Sequence, residues 1–345
     1  MTLTLAALPL RAEALRVATW NPDLVRKGPG LLLQAIRDKE DPQVAAVVAV
    51  IERLDADVLV LTGVDYDYGQ SAIRALQAKL ALAGAPYPHA IALRPNTGVQ
   101  TGLDLDGNGQ TGEPRDAQGF GTFAGQAGIV VLSRLPLGEP RDFSGLLWAD
   151  LPGADLPPDM TPEVRAIQRL PTTGHYDLPV LYAPDRALHL LVYYASPPVF
   201  DGPEDRNGRR NHDETAFWLH LLHGALPWPA PDSPFILLGQ PNLDPVDGEG
   251  RRQAIAALLA HPRLQDIAPR GQDPVQTPGQ NGDPFLDTAD YGGTLGRLRV
   301  DMLLPEAGLP VTAAGVMWPP ASDPFTPTLQ AASRHYPVWA EVDLP

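Results

Sequence analysis

Cysteine is absent from the 345 residues, which excludes disulfides and thiolate zinc sites. The compartment stays open, because an exported bacterial protein and a cytosolic one can both lack it. No apolar run approaches the ~18 residues that a membrane helix needs, so no membrane span is expected. Basic side chains are also scarce: 26 Lys and Arg stand against 41 Asp and Glu, a formal net charge of -15. Such a surface repels polyanions unless a local basic patch or bound cations offset it, which disfavours nucleic acid as a partner. What remains is an ordinary globular composition, 44% hydrophobic and 19% charged, long enough to bury a core as one large α/β domain or two small ones.

At the N-terminus the run TLTLAALPL precedes Ala12-Glu13-Ala14, which has the small-x-small form of a signal-peptidase site but lacks a positive n-region. Residues 1–14 read either as a remnant of an export signal or as a frayed terminus. Residues 15–345 then form the folded domain, exported in the first case and cytoplasmic in the second.

Short runs rich in Val, Leu and Ile predict strands over 15–20, 57–61, 128–132, 188–194, 235–238, 298–304 and 338–342. Helical spacing of apolar residues predicts helices over 42–54, behind Asp41 as N-cap, and over 70–82 and 251–259. Pro and Gly gather in long connections, notably 95–125, 152–171, 227–234 and 269–296, loops of a length that usually carries function. The alternation argues for a layered α/β domain.

Strand after strand runs into polar residues: LRVATW into Asn21, DVLVLTG into Asp65 and Asp67, LHLLVYY into SPPVFDGPEDRNGRRNHDE, PFILLG into Gln240, Asn242 and Asp244, LRV into Asp301. Ser333-Arg334-His335 precedes the last strand. Strand ends that share a rim can assemble one site from distant segments.

This order resembles the signature of the endonuclease/exonuclease/phosphatase family: strand-Asn, strand-Glu, strand-His, Gly-Asp-x-Asn and a terminal Ser-Asp-His. The resemblance runs from Leu15 to Leu344. The stretches PPVFDGPEDRNGRRNHDE, ALRPNTG and LDLDGNG are similar to a bacterial subgroup. It implies an α/β (α+β) fold, a four-layer sandwich of two packed β-sheets flanked by helices. It also implies Mg²⁺-assisted phosphoester hydrolysis, with carboxylates holding the metal and histidines stabilising developing charge. Position by position, Asn21, Asn242 and His335 match, and Asp301 lies in the same constellation. Four positions depart: Gly63 stands for the metal-binding Glu, Tyr194 for the strand-end His, Gln240 for the Asp of Gly-Asp-x-Asn, and Arg334 for the Asp before the last His. Gln240 cannot act as a carboxylate base, and a tyrosine near its reference pKa of ~10 is a poor proton donor. Arg334 places a permanent cation where a carboxylate would sit, which repels a divalent ion and attracts an anion. Mg²⁺ is therefore doubtful here and hydrolysis is expected to be weak or lost. The alternative is a pseudoenzyme that binds a ligand or partner. Restoring Glu at 63 and Asp at 240 and 334 is expected to raise hydrolysis.

A relocated metal site could draw on Asp65, Asp67 and Asp244, although Asp after a strand is more often a turn or cap residue. Asp104-Leu-Asp106-Gly-Asn108-Gly109 matches the first half of a calcium loop, but its twelfth position is Arg115. Asp104, Asp106 and Asn108, with Asp116, remain candidate Ca²⁺ ligands. In the dense polar run 205–214, Arg206 and Asn207 are candidate anion-binding residues beside Tyr194 and Arg334. The other reading of that run is a salt-bridged loop in which Asp213 and Glu214 cap a helix over TAFWLHLLH. His220 and His223 share one helix face without an evident third ligand, and His175, His189, His212 and His261 lack metal-ligand spacing. The ligand expected at the rim is a small anionic or phosphorylated molecule.

Overall fold

The computed structural model describes residues 14–38, 40–231 and 233–345. The export-signal reading of the first residues falls outside this range. One sheet is built from β1 (Leu15–Trp20), β2 (Val58–Val64), β3 (His89–Leu93), β4 (Gly128–Ser133), β12 (Val311–Val316) and β13 (Val338–Val342). Its order is β12-β13-β1-β2-β4-β3. The second contains β5 (Arg141–Asp142), β6 (Gly174–Ala183), β7 (Arg186–Tyr194), β8 (Phe235–Gln240) and β11 (Met302–Pro305), in the order β11-β8-β7-β6-β5. A short ribbon pairs β9 (Ala289–Asp290) with β10 (Arg297–Leu298).

Helices α1 (Leu31–Arg37), α2 (Pro42–Leu54), α3 (Ser71–Leu82) and α7 (Thr326–Ala332) share a core with the first sheet, while α5 (Arg206–Leu222) and α6 (Gln253–Leu259) share one with the second. The remaining helix, α4 (Pro162–Arg165), is a single turn in a loop. Between the sheets, Val17, Val60, Leu178, Val192 and Leu238 meet in one cluster. On the far face of the second sheet, Leu191, Tyr193 and Leu237 pack against Phe217, Trp218 and Ile255. The α/β (α+β) sandwich expected from the sequence is thus present, four layers deep. Every residue of β2, β4 and β8 is buried, because these central strands are covered on both faces, and that explains why their sequences read as continuous apolar runs.

Asp41 caps α2 as its sequence predicts, accepting the Val44 N–H at 2.8 Å. The expected strand over 298–304 divides instead into β10 and β11, so that Val300 and Asp301 lie outside both. The polar run 205–214 is also not a loop. It forms the first half of α5, and Asp213 and Glu214 lie well inside the helix rather than at its cap.

β1 and β2 run parallel, with Trp20 beside Leu61. β7 and β8 also run parallel, with Tyr194 beside Gln240. Because Asn21 and Gln240 touch across the two sheets, the C-terminal ends of all four strands share one rim.

Candidate functional site

Two polar groupings meet at this rim. The first is a chain of neutral amides. Asn21 Nδ2 donates to Gln240 Oε1 at 2.7 Å, Gln240 Nε2 donates to Asn242 Oδ1 at 2.7 Å, and Asn242 Nδ2 donates to Ala195 O at 2.7 Å. Thr62 Oγ1 also donates to Gln240 Oε1, and Asp23 N–H to Asn21 Oδ1. Each amide points so that donor meets acceptor along the whole chain, which removes the cost of burying these groups. Asn242 holds a left-handed backbone at φ 56°, a conformation that Asn tolerates better than most residues.

Gly63 sits in an irregularity of β2 between Leu61 and Val64, at φ +62°, and a Cβ there would lie 2.3 Å from Asn21 Oδ1. The space of the expected carboxylate is therefore taken by the Asn21 amide, and no side chain fits at 63 unless Asn21 moves. Adding Glu at this position cannot simply restore a ligand, contrary to the sequence-based expectation.

The second grouping is the Asp301 and His335 pair. His335 Nδ1 lies 2.8 Å from Asp301 Oδ2, which also accepts from Thr288 Oγ1 at 2.9 Å. Both residues are buried, and Asp301 Oδ1 has no hydrogen-bond partner. Ser333 Oγ donates to Asn21 O and accepts the His335 N–H, tying the last segment to β1. The Tyr291 ring stands edge-on to His335 with centroids 5.8 Å apart.

Tyr194 lies between the two groupings. Burial, with the charges of Asp23 and Asp301 adding to it, pushes its hydroxyl up to about 12, so it stays a neutral hydroxyl at physiological pH. Burial raises Tyr291 likewise. Arg334 is half-exposed, 3.8 Å from Asp23 Oδ2 and above the Tyr291 ring. Beside it opens a depression of about 560 Å³ lined by Asp23, Gln43, Asp290, Gln330 and Arg334. Asp23, Thr62, Thr288 and Tyr291 escaped the sequence reading. Asp23 carried the same signal as the others, a polar residue just past a predicted strand, whereas Tyr291 lies in the stretch 269–296 that reads as a loop.

The resemblance implies Mg²⁺ at this rim. The donors do not suit it: a hard divalent cation wants several carboxylate or carbonyl oxygens, whereas Gly63 offers none, Gln240 is committed to two amides, and Arg334 is a cation. A relocated centre fares no better. Asp65 accepts the Arg26 and Ala127 N–H groups at 2.7 and 3.0 Å, with burial raising its pKa. Asp67 accepts the Ser71 and Ala72 N–H groups at the start of α3. Asp244 accepts from Val246, Asp247 and Arg299 N–H. All three brace turns and helix starts, and among the described residues none of them joins a cluster of three acidic or histidine side chains.

Arg206 and Asn207 are likewise occupied. The Arg206 guanidinium donates to Leu105 O and Gln168 Oε1, and the Asn207 amide donates to Val199 O at 2.7 Å. Neither is placed to greet an anion at the rim. Their half of α5 instead fixes the loops around the site. Asn211 Nδ2 donates to Ser196 O and Pro241 O at 2.6 and 2.7 Å, next to the Ala195 and Asn242 contact. Arg210 donates to Gln118, Arg169 and Leu170 carbonyls. Glu214 accepts the Thr172 and Ser196 N–H groups, and burial pushes it up to about 7 against the pull of Arg210.

In the loop between β3 and β4, Asp104, Asp106 and Asp116 bring one carboxylate oxygen each within 4.8 Å of one another, a cluster that could hold a metal ion. Gly107, Asn108 and Gly109 N–H groups all point at Asp104 and hold its pKa below the usual carboxylate value. Asn108 turns its amide nitrogen to Asp106 and Glu113, and its oxygen to Gln110 N–H. It therefore supports the loop where the sequence suggested a ligand.

No curated protein matches this sequence. Among solved structures, an endonuclease/exonuclease/phosphatase from Beutenbergia cavernae is 18% identical with a TM-score of 0.53, the alignment covering 96% of this chain and 72% of that one. An AP endonuclease from Archaeoglobus fulgidus is 14% identical with a TM-score of 0.52, covering 96% and 100%. The 3′ phosphatase NExo from Neisseria, bound to product DNA hairpin, is 19% identical with a TM-score of 0.51, again covering 96% and 100%. These likenesses carry the fold, and the family model adds the sequence: it matches residues 31–335, and the chain belongs to the endonuclease/exonuclease/phosphatase family.

Proposed function

We propose that this family member holds a small anionic, phosphate-bearing ligand at the rim and performs little or no metal-dependent phosphoester hydrolysis there. The observation that carries this reading is the neutral chain Asn21, Gln240, Asn242, closed on itself where carboxylates and a cation are implied. Around it stand groups that suit an anion: the half-exposed Arg334, the neutral hydroxyls of Tyr194 and Tyr291, and His335 oriented by Asp301. The intact Asp301 and His335 pair favours a second reading, a residual hydrolase in which His335 still stabilises developing charge.

The Asp104, Asp106 and Asp116 cluster suits Ca²⁺ better than Mg²⁺, because an irregular all-oxygen loop meets the flexible coordination of calcium more readily than a strict octahedron. A weak site of this kind fits a secreted protein. The net charge of -15 turns long nucleic acids away.

The test is a hydrolysis assay with Mg²⁺ and an activated phosphodiester, bis(4-nitrophenyl) phosphate, run beside calorimetric binding of inorganic phosphate. Little turnover with measurable phosphate binding is expected. Robust wild-type turnover that disappears in Asn242→Ala overturns the reading and restores the hydrolase.

A further inference from the structure

Away from the rim, two imidazoles meet where α5 and α6 end. His223, exposed, follows the last residue of α5, and His261, only 6% exposed, lies just beyond α6. Their Nε2 atoms are 3.2 Å apart, with ring centroids 4.9 Å apart and planes inclined by 45°.

That contact has room for one hydrogen. Arg263 N–H donates to His261 Nδ1 at 3.2 Å, so the neutral His261 ring carries its hydrogen on Nε2 and donates it to His223 Nε2. Both nitrogens of His261 are then occupied, so that ring cannot take a proton without losing a hydrogen bond. A proton on His223 Nε2 would face the His261 N–H. A proton on His261 Nδ1 would face the Arg263 N–H. Either event breaks a hydrogen bond and sets a cation against a donor.

The charged and titratable neighbours do not relieve this. On α5, His220 lies one turn before His223, and His212 farther back is taken up by Asp213 at 2.9 Å. In the turn after α6, the Arg263 guanidinium is held by Glu306 at 3.0 Å and reaches Pro231 O. Asp213 also accepts the Trp148 N–H. Burial first, then the charges of His223 and Arg263, keep His261 below its ordinary pKa, and burial with His223 does the same for His220.

We propose that the His223 and His261 contact is a proton-operated latch between the ends of α5 and α6, closed while both rings are neutral and opened by acidification. What it closes is substantial. Ile255, Leu258 and Leu264 of α6 and its turn complete the core under α5. Gln265 ties the same turn to β11 through Pro305 O at 3.0 Å, so opening loosens α6 while the sheet edge stays joined.

The sign follows from linkage. A histidine whose folded pKa is depressed binds its proton more readily in the unfolded chain. Its contribution to stability is complete above the unfolded value of ~6.5 and is lost as pH falls below it. A metal ion is the less suitable occupant. Binding at both Nε2 atoms would require His261 Nδ1 to surrender the Arg263 N–H, and among the described residues no third His, Asp or Glu completes a cluster there.

The experiment compares the full chain with His223→Gln by urea unfolding from pH 7.5 to pH 5, with hydrogen exchange of residues 253–265 at both ends of the range. The Gln oxygen can still accept from His261 Nε2–H but cannot titrate. Buried acids such as Glu214 tilt both proteins alike, so the difference isolates the latch. The wild type should lose more stability on acidification than His223→Gln, and its α6 amides should exchange faster at pH 5 relative to that variant. Parallel pH profiles overturn the proposal, as does a His261 imidazole that titrates by NMR at or above ~6.5, the ordinary value. Stabilisation of the wild type by Zn²⁺ alone at pH 7.5, absent in His223→Gln, would reassign the pair as a metal site and overturn it too.

Discussion

The Asp104 loop and the rim around Asn21 treat oxygen ligands in opposite ways. In the loop, three carboxylates converge within 4.8 Å, and backbone N–H groups brace Asp104 in its charged form. At the rim, where the family pattern calls for carboxylates, neutral amides have closed the space and an arginine faces it. Local sequence explains the difference. A run of Asp, Asn and Gly folds on itself and needs few long-range contacts to gather negative charge. The rim must be assembled from strands far apart in the chain, and Gln240 there is held by Asn21 and Thr62 from other segments.

The sharpest way to break that contrast is Gly63→Glu, alone or with Gln240→Asp and Arg334→Asp. A side chain at φ +62° with its Cβ 2.3 Å from Asn21 Oδ1 combines backbone strain with overpacking. The cost should be about 3 kcal/mol or more, read by chemical denaturation. A variant as stable as wild type that also gains Mg²⁺-dependent turnover would mean that the rim remains a dormant metal centre.

Next in size is the loop. An ion bound only by the folded chain stabilises it by mass action, so Ca²⁺ at a hundredfold excess over its Kd should raise the melting temperature by about 4 °C. Asp104→Ala with Asp106→Ala should abolish the shift. An unchanged shift in that variant would move the ion elsewhere, and Mg²⁺ giving the larger rise would reverse the assignment of metal.

The parts of this structure legible in the sequence were those set by short stretches. The capped helix behind Asp41 and the buried strands ending at Trp20 and Gln240 all follow from local pattern, and the family order placed Asn21, Asn242 and His335 on one rim. What could not be read was how side chains were spent. The ten residues from Asp205 to Glu214 look like a solvated loop because their polarity is visible and their partners are not. In the fold, Arg210, Asn211 and Glu214 are buried against carbonyls and N–H groups of loops as far as 92 residues away, which a helix can afford only in that setting. Gly63 has the same character, since its absence of a side chain looked like a missing ligand until Asn21 was seen filling the place.

The smallest effect concerns Arg334 and Asp23. Their separation of 3.8 Å, with side chains 55% and 46% exposed, predicts that Arg334→Ala changes stability by less than ~1 kcal/mol, as for other solvent-exposed ion pairs. Binding should separate the two residues where stability does not. Arg334→Ala removes the cation that meets a phosphate, whereas Asp23→Asn removes the carboxylate that competes for it. Calorimetry with inorganic phosphate should therefore show affinity falling in the first variant and rising in the second, by roughly fivefold each, about 1 kcal/mol. Should both variants lose affinity together, Asp23 would be contacting the ligand directly, and the rim would bind it through a hydrogen-bond donor as well as through its negative charge.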